Sequence, residues 1–155
     1  YWIYNKKIIE NINPNHKNVK KIIFYGIASA VALTIHSIFL GIKFEYDLYK
    51  LFRRVIMLSF IIFEIIAQAY LVATLYSLKN NLLDKINVNI LRIKMILVIS
   101  LIVIAVISIP IISLPGDMFL NFNLKNFKHA LEWDYFLGVI FFYFLTFLMW
   151  KKIKH

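Results

Sequence analysis

Long runs of apolar residues, separated by short basic segments, dominate the pattern of the chain. A helix of about 20 apolar residues crosses the roughly 30 Å hydrocarbon core of a bilayer. Four runs reach or approach that length, at residues 22–42, 55–78, 95–114 and 130–150. Alternation of apolar and polar residues at period two is not visible. The pattern predicts an all-α fold, a polytopic helical membrane bundle with four transmembrane helices in one domain over residues 1–155.

The first residues, YWIYNKK, resemble the interfacial end of a helix. Tyr1, Trp2 and Tyr4 would lie at headgroup level, and Lys6 and Lys7 would face the cytoplasm. We therefore expect a further transmembrane helix upstream of this sequence. The alternative is a short interfacial segment.

Composition and charge agree with the membrane prediction. The chain is 61% apolar, has no cysteine and carries a formal net charge of +10. Basic residues cluster at the ends of the apolar runs, where they favour lipid headgroups over nucleic acid. Twelve of the 18 Lys and Arg residues fall in segments 1–21, 79–94 and 151–155. This asymmetry predicts that both termini are cytoplasmic. We expect a protein of the bacterial inner membrane. Its expected partners are the lipid bilayer and either another protein or a second copy of the chain.

Glu64 is the only charged residue of the run 55–78 and would lie near the bilayer midplane. An ionised carboxylate costs several kcal/mol there unless it is paired, protonated or facing water. Gln68 is one turn later and shares its face, while Ser29 and His36 share a small, polar face of the first run. His36 and Glu64 would lie roughly 10 and 15 Å below the outer boundary. We therefore predict an intramembrane polar cluster of His36, Glu64 and Gln68, with a hydrogen bond between His36 and Glu64.

Several interpretations of this cluster stay open. It could join helices structurally, through interhelical hydrogen bonds worth about 1 kcal/mol or less each. It could also relay protons or substrate. Alternatively, Glu64 could be a protonated carboxyl group that faces lipid, or its partner could lie on an upstream helix.

A second group, His129, Glu132 and Trp133, stands at the outer mouth of the last run. The interpretation as an interfacial anchor places Trp133 at headgroup level and Glu132 at the helix start, where the dipole favours anions. A di-iron bundle needs four carboxylates in Glu-x-x-His context, and a bis-histidine haem needs His36 and His129 at one depth. Neither pattern is met, so we expect no metal and no cofactor. No lysine falls inside a predicted span, which also argues against a retinal-type Schiff base.

The C-terminal part resembles the end of the DRAM-like, autophagy-modulator-related membrane family. The resemblance rests on Leu91-Arg92, the Glu132-Trp133 pair, and Tyr143 and Phe147 within FLGVIFFYFLTFL. It implies a polytopic, non-enzymatic protein concerned with lipid organisation or signalling. The family's first extracellular motif is not found in this sequence.

From these features we expect a non-catalytic integral membrane protein that organises partners or lipids through its helix faces. The alternative is a small proton-coupled transporter, or a subunit of one, using His36, Glu64 and Gln68. A third class is a membrane enzyme acting on a lipid-soluble substrate through His129 and Glu132.

Overall fold

A computed structural model describes residues 1–42, 46–83, 85–113, 118–119 and 122–151. Within these ranges the side chains of residues 40, 47, 50, 109–113, 118–119, 122–129 and 132 lie outside the described set. The elements are α1 (Trp2–Ile12), α2 (Val19–Leu40), α3 (Asp47–Ser77), α4 (Lys79–Leu82), α5 (Val88–Ser113), β1 (Met118–Phe119), β2 (Phe122–Asn123) and α6 (Leu124–Met149). The β1–β2 pair is antiparallel and only two residues long.

The all-α class is confirmed, and three helices are long and apolar enough to cross a membrane. Their qualifying segments are Val19–Phe39, Leu51–Ser77 and Val88–Ser108. The apolar part of α6, Trp133–Met149, is shorter than these. Three of the four predicted spans therefore have helices of membrane-spanning length.

The four long helices begin before the corresponding predicted spans, and at α5 the additional residues include Lys94. The sequence pattern placed its start at residue 95, after the last charged residue, but the helix begins at Val88. Asn87 precedes it, and the Asn87 side-chain oxygen accepts a hydrogen bond from the Asn89 backbone N–H, as a capping residue does. Lys94 therefore lies within α5 and within its candidate span Val88–Ser108, just before the span predicted at residues 95–114.

The residues from Tyr1 to Asn81 form one compact unit. In this unit α2 packs along α3, and α1 packs against α2. Trp2 is buried, and its indole lies where a side chain on Gly26 would be: a Cβ added at Gly26 would come within 2.5 Å of the ring. The absence of a side chain at Gly26 therefore lets α1 dock on α2.

The residues from Leu82 to His155 form the second unit, in which α5 packs against α6. At one end of this helix pair, the backbone of Ile86 bridges that of Trp150. The Asn87 N–H donates to the Met149 carbonyl, and the Lys151 N–H donates to the Lys85 carbonyl. These bonds satisfy backbone groups that would otherwise be unpaired at the two helix termini.

Candidate functional site

A buried group of polar side chains lies where α2 meets α3. It consists of Ser29 from α2 and of Glu64 and Gln68 from α3, and these three residues are called the Glu64 cluster below. Ser29 and Glu64 are each 1% exposed, and Gln68 is fully buried. Such burial requires that the polar atoms find hydrogen-bond partners within the protein.

The contacts of the Glu64 cluster cross the helix interface. Ser29 Oγ lies 2.6 Å from Glu64 Oε2 and 3.0 Å from the Gly26 carbonyl oxygen. On the other side of the carboxyl group, Gln68 Nε2 donates to Glu64 Oε1 at 2.9 Å. Both oxygens of Glu64 are thus in hydrogen-bond contact, one with each helix.

Local helical geometry explains this arrangement. Gln68 follows Glu64 by one turn, so the two side chains project from the same face of α3. On α2 the facing positions are small, with Ser29 in the middle and Gly26 and Ala32 buried beside it. Small residues let two helix backbones approach closely, which is what a short serine side chain needs to reach a glutamate on the other helix.

His36 is not the group that meets Glu64. It stands seven residues beyond Ser29, so about 10 Å farther along the helix axis. His36 is half-buried, and within the described part of the chain its buried Nδ1 has no hydrogen-bond partner. Glu64 does contact the polar face of α2, and the residue that it meets there is Ser29. A functional role for His36 stays a prediction.

Further contacts between α2 and α3 lie toward the basic end of the two helices. Tyr25 stacks on Tyr70 with ring centroids 6.2 Å apart, and Lys21 Nζ lies 5.1 Å from the centroid of the Tyr70 ring. The Asn18 side-chain amide donates to Thr74 Oγ1 at 3.2 Å. The interface is therefore polar and aromatic beyond the Glu64 cluster as well.

Lys94 is the functional candidate that the sequence analysis missed. Its side chain is fully buried, and Nζ donates to Thr146 Oγ1 at 2.5 Å and lies 4.0 Å from the centre of the Phe142 ring. Thr146 in turn donates to the Phe142 carbonyl at 2.9 Å. Among the residues that the structure describes, Lys94 has no carboxylate partner, and a hydroxyl oxygen and an aromatic face surround its amine instead.

The second predicted group is only partly visible. His129 and Glu132 belong to α6, but their side chains lie outside the described residues. Trp133 is 63% exposed and meets Phe136 edge to face, which suits an interfacial position. Over the described ranges, no three His, Cys, Asp or Glu side chains are grouped so as to hold a metal ion.

No protein-family model, curated protein or solved structure matches the chain. Functional conclusions therefore rest on the residues and contacts of the chain itself, and the DRAM-like resemblance of its C-terminal part stays a prediction.

Proposed function

We propose that the chain is an integral membrane protein in which α2, α3, α5 and α6 span the bilayer. The observation that carries this proposal is that large apolar side chains cover the exposed faces of these helices. Buried positions include polar and charged residues, whereas large apolar side chains cover the helix exteriors. The exposed apolar residues include Phe24, Ile27, Val31 and Ile38 on α2, Val55, Leu58 and Ile62 on α3, Ile96, Ile99, Val103 and Val106 on α5, and Leu137, Phe141, Phe144 and Phe147 on α6.

Exposed apolar surface on this scale would cause aggregation in water, and lipid tails are its natural solvent. For α6, whose apolar part is short, the span is completed by the turn before Trp133, with that indole at the membrane interface. The distribution of Lys and Arg favours cytoplasmic termini, and a bacterial inner membrane is the location we propose.

Within the membrane we propose a non-catalytic role, in which the helix faces organise lipids or a partner protein. The buried polar groups support this role because their contacts join neighbouring helices. Ser29 and Glu64 connect α2 to α3, and Lys94 and Thr146 connect α5 to α6. Contacts of this kind hold a helix pair together and leave the apolar exteriors available to lipids or partners.

Two measurements test these proposals. The full chain, expressed in cells, should remain in the membrane pellet after alkaline carbonate extraction and should require detergent for release. Release by carbonate alone would contradict membrane insertion. The purified protein, reconstituted into liposomes containing a pH-sensitive dye, should show no proton uptake beyond that of protein-free liposomes when a membrane potential is applied.

A proton-coupled transporter, or a subunit of one, is the second candidate. The buried carboxyl group of Glu64, in contact with a hydroxyl and an amide, is the specific observation that favours it, because buried ionisable residues in spans mark proton and ion pathways. Protein-dependent proton uptake that is lost in Glu64→Gln would favour this candidate over the organising role.

A further inference from the structure

The hydroxyl group of Ser29 has one hydrogen but lies within hydrogen-bond distance of two acceptors. One is the Gly26 carbonyl oxygen at 3.0 Å, which can only accept, and the other is Glu64 Oε2 at 2.6 Å. If Glu64 were a bare carboxylate, both neighbours would compete for the single hydroxyl hydrogen. A hydrogen or another positive group between Ser29 and Glu64 removes this competition.

Gln68 also lacks a hydrogen-bond donor. Its amide nitrogen is committed to Glu64 Oε1, while its amide oxygen is buried and has no hydrogen-bond donor among the described residues. Rotating the amide by 180° would not help, because the amide oxygen would then face a carboxylate oxygen. Either orientation leaves an oxygen that a positive ligand would satisfy.

We propose that the Glu64 cluster, with the Gly26 carbonyl, is a binding site for one small monovalent cation, a proton or a sodium ion. Five oxygen atoms belong to this group: two from Glu64 and one each from Ser29, Gln68 and Gly26. Carboxylate, amide, hydroxyl and carbonyl oxygens are the ligands that hard cations prefer. The inference goes beyond the proposed organising role, because a purely structural contact needs no exchangeable ligand.

The two ions would occupy the site differently. A proton on Glu64 Oε2 donates to Ser29 Oγ, and the Ser29 hydroxyl then donates to the Gly26 carbonyl. A separation of 2.6 Å fits one O–H···O bond between the two oxygens, and it leaves no room for a sodium ion between them. A sodium ion would instead be coordinated by oxygens of Glu64 and Ser29 and, once the Gln68 amide has rotated by 180°, by the Gln68 oxygen. The contact between Ser29 and Glu64 would lengthen to admit the ion.

Infrared spectroscopy of the purified full chain in detergent at neutral pH tests the proposal. The carbonyl band of a neutral carboxyl group is separate from the amide bands, and ¹³C-labelled glutamate shifts only glutamate bands. The wild type is compared with Glu64→Gln and with a matched control, Glu10→Gln, which removes a half-exposed carboxylate that pairs with Lys6. Thermal unfolding is recorded in parallel in sodium chloride and in choline chloride at equal ionic strength.

A neutral glutamate band that is present in wild type and in Glu10→Gln, and lost in Glu64→Gln, would establish the proton as the ligand. If that band is absent, stabilisation by sodium over choline that disappears in Glu64→Gln but persists in Glu10→Gln would establish sodium. Neither a Glu64-dependent band nor a Glu64-dependent sodium effect would overturn the proposal. Should Glu64→Gln fail to fold, Ser29→Ala serves instead: it should shift the isotope-identified band or weaken the sodium effect, and no change in either would count against the site.

Discussion

Ser29 Oγ and Glu64 Oε2 lie 2.6 Å apart in the contact between α2 and α3, where both side chains are buried. A serine on a face of small residues thus brings a second helix into direct contact with a carboxyl group in the middle of a long apolar run. This contact joins the small face of α2 to the polar pair on α3.

Replacing Ser29 by alanine should weaken the packing of α2 on α3. The variant loses the interhelical hydrogen bond, so we expect a decrease in unfolding free energy of about 1 kcal/mol or less, seen as a lower melting temperature in detergent. Ser37→Ala is the matched control, because Ser37 is exposed and bonds only to the Leu33 carbonyl of its own helix among its described contacts. Equal melting temperatures for the two variants would contradict a stabilising role for Ser29.

Glu64→Gln should leave stability the same or higher. A glutamine keeps a hydrogen-bonding oxygen next to Gln68 and a donor next to Ser29, and it removes the cost of burying an ionisable group. Thermal unfolding in detergent measures this directly. A clear fall in melting temperature would mean that the carboxyl group itself, rather than its hydrogen bonds, stabilises the fold.

Lys94→Met should preserve the fold, with an unfolding free energy unchanged or higher by about 1 kcal/mol, since a buried charge is often replaced by an apolar side chain without loss. Thr146→Val alone should be destabilising by about 1–3 kcal/mol, because it removes the acceptor of the buried Lys94 amine. In the Lys94→Met background the same change should cost less, and this double-mutant cycle isolates the pair. Additive effects would show that the contact contributes nothing.

Gly26→Ala should displace α1 from α2. The new methyl group would lie 2.5 Å from the indole of Trp2, and overpacking of this kind costs about 1–3 kcal/mol. Tryptophan fluorescence and limited proteolysis at α1 would report the change. Gly41→Ala is the control, since among the described residues no atom beyond its immediate chain neighbours lies within 4 Å of a Cβ added there. Identical proteolysis of both variants would contradict the proposed docking.

Topology can be tested directly because the chain has no native cysteine. With both ends cytoplasmic, a cysteine at Asn81 should resist a membrane-impermeant thiol reagent in intact cells, whereas one at Asn121 should react. The opposite labelling pattern would reverse the orientation deduced from the Lys and Arg residues.

The sequence predicted the helices well because long apolar runs leave few alternatives to a helix in lipid. It also identified Glu64 and Gln68, since a lone charge in an apolar run and a polar residue one turn later are visible without coordinates. The predicted partner of Glu64 was His36, because a titratable side chain is the more obvious partner for a carboxyl group. The residue that contacts Glu64 is Ser29, a smaller residue on the same face of α2. The register between two helices is set by side-chain packing, which a single sequence does not specify.

Lys94 was missed for a different reason. Counting a span from the first uncharged residue assumes that a charged side chain marks the membrane boundary. A lysine that finds a hydroxyl oxygen and an aromatic face inside a helix pair does not mark such a boundary, so Lys94 lies within α5 and not before it. The available signal was Asn87, a good capping residue two turns upstream.

The backbone bridge between Ile86 and Trp150 holds the start of α5 next to the end of α6. Because the chain enters α5 and leaves α6 at hydrogen-bonded neighbouring residues, both positions must lie on one side of any membrane that this helix pair crosses. Reporters placed at Lys85 and Lys151 should therefore always give the same sidedness, even if the whole protein were inserted in the opposite orientation. A fluorescent donor and acceptor at these two sites would also stay close together through any tilt of the pair, which makes them an internal distance standard for measurements elsewhere in the protein.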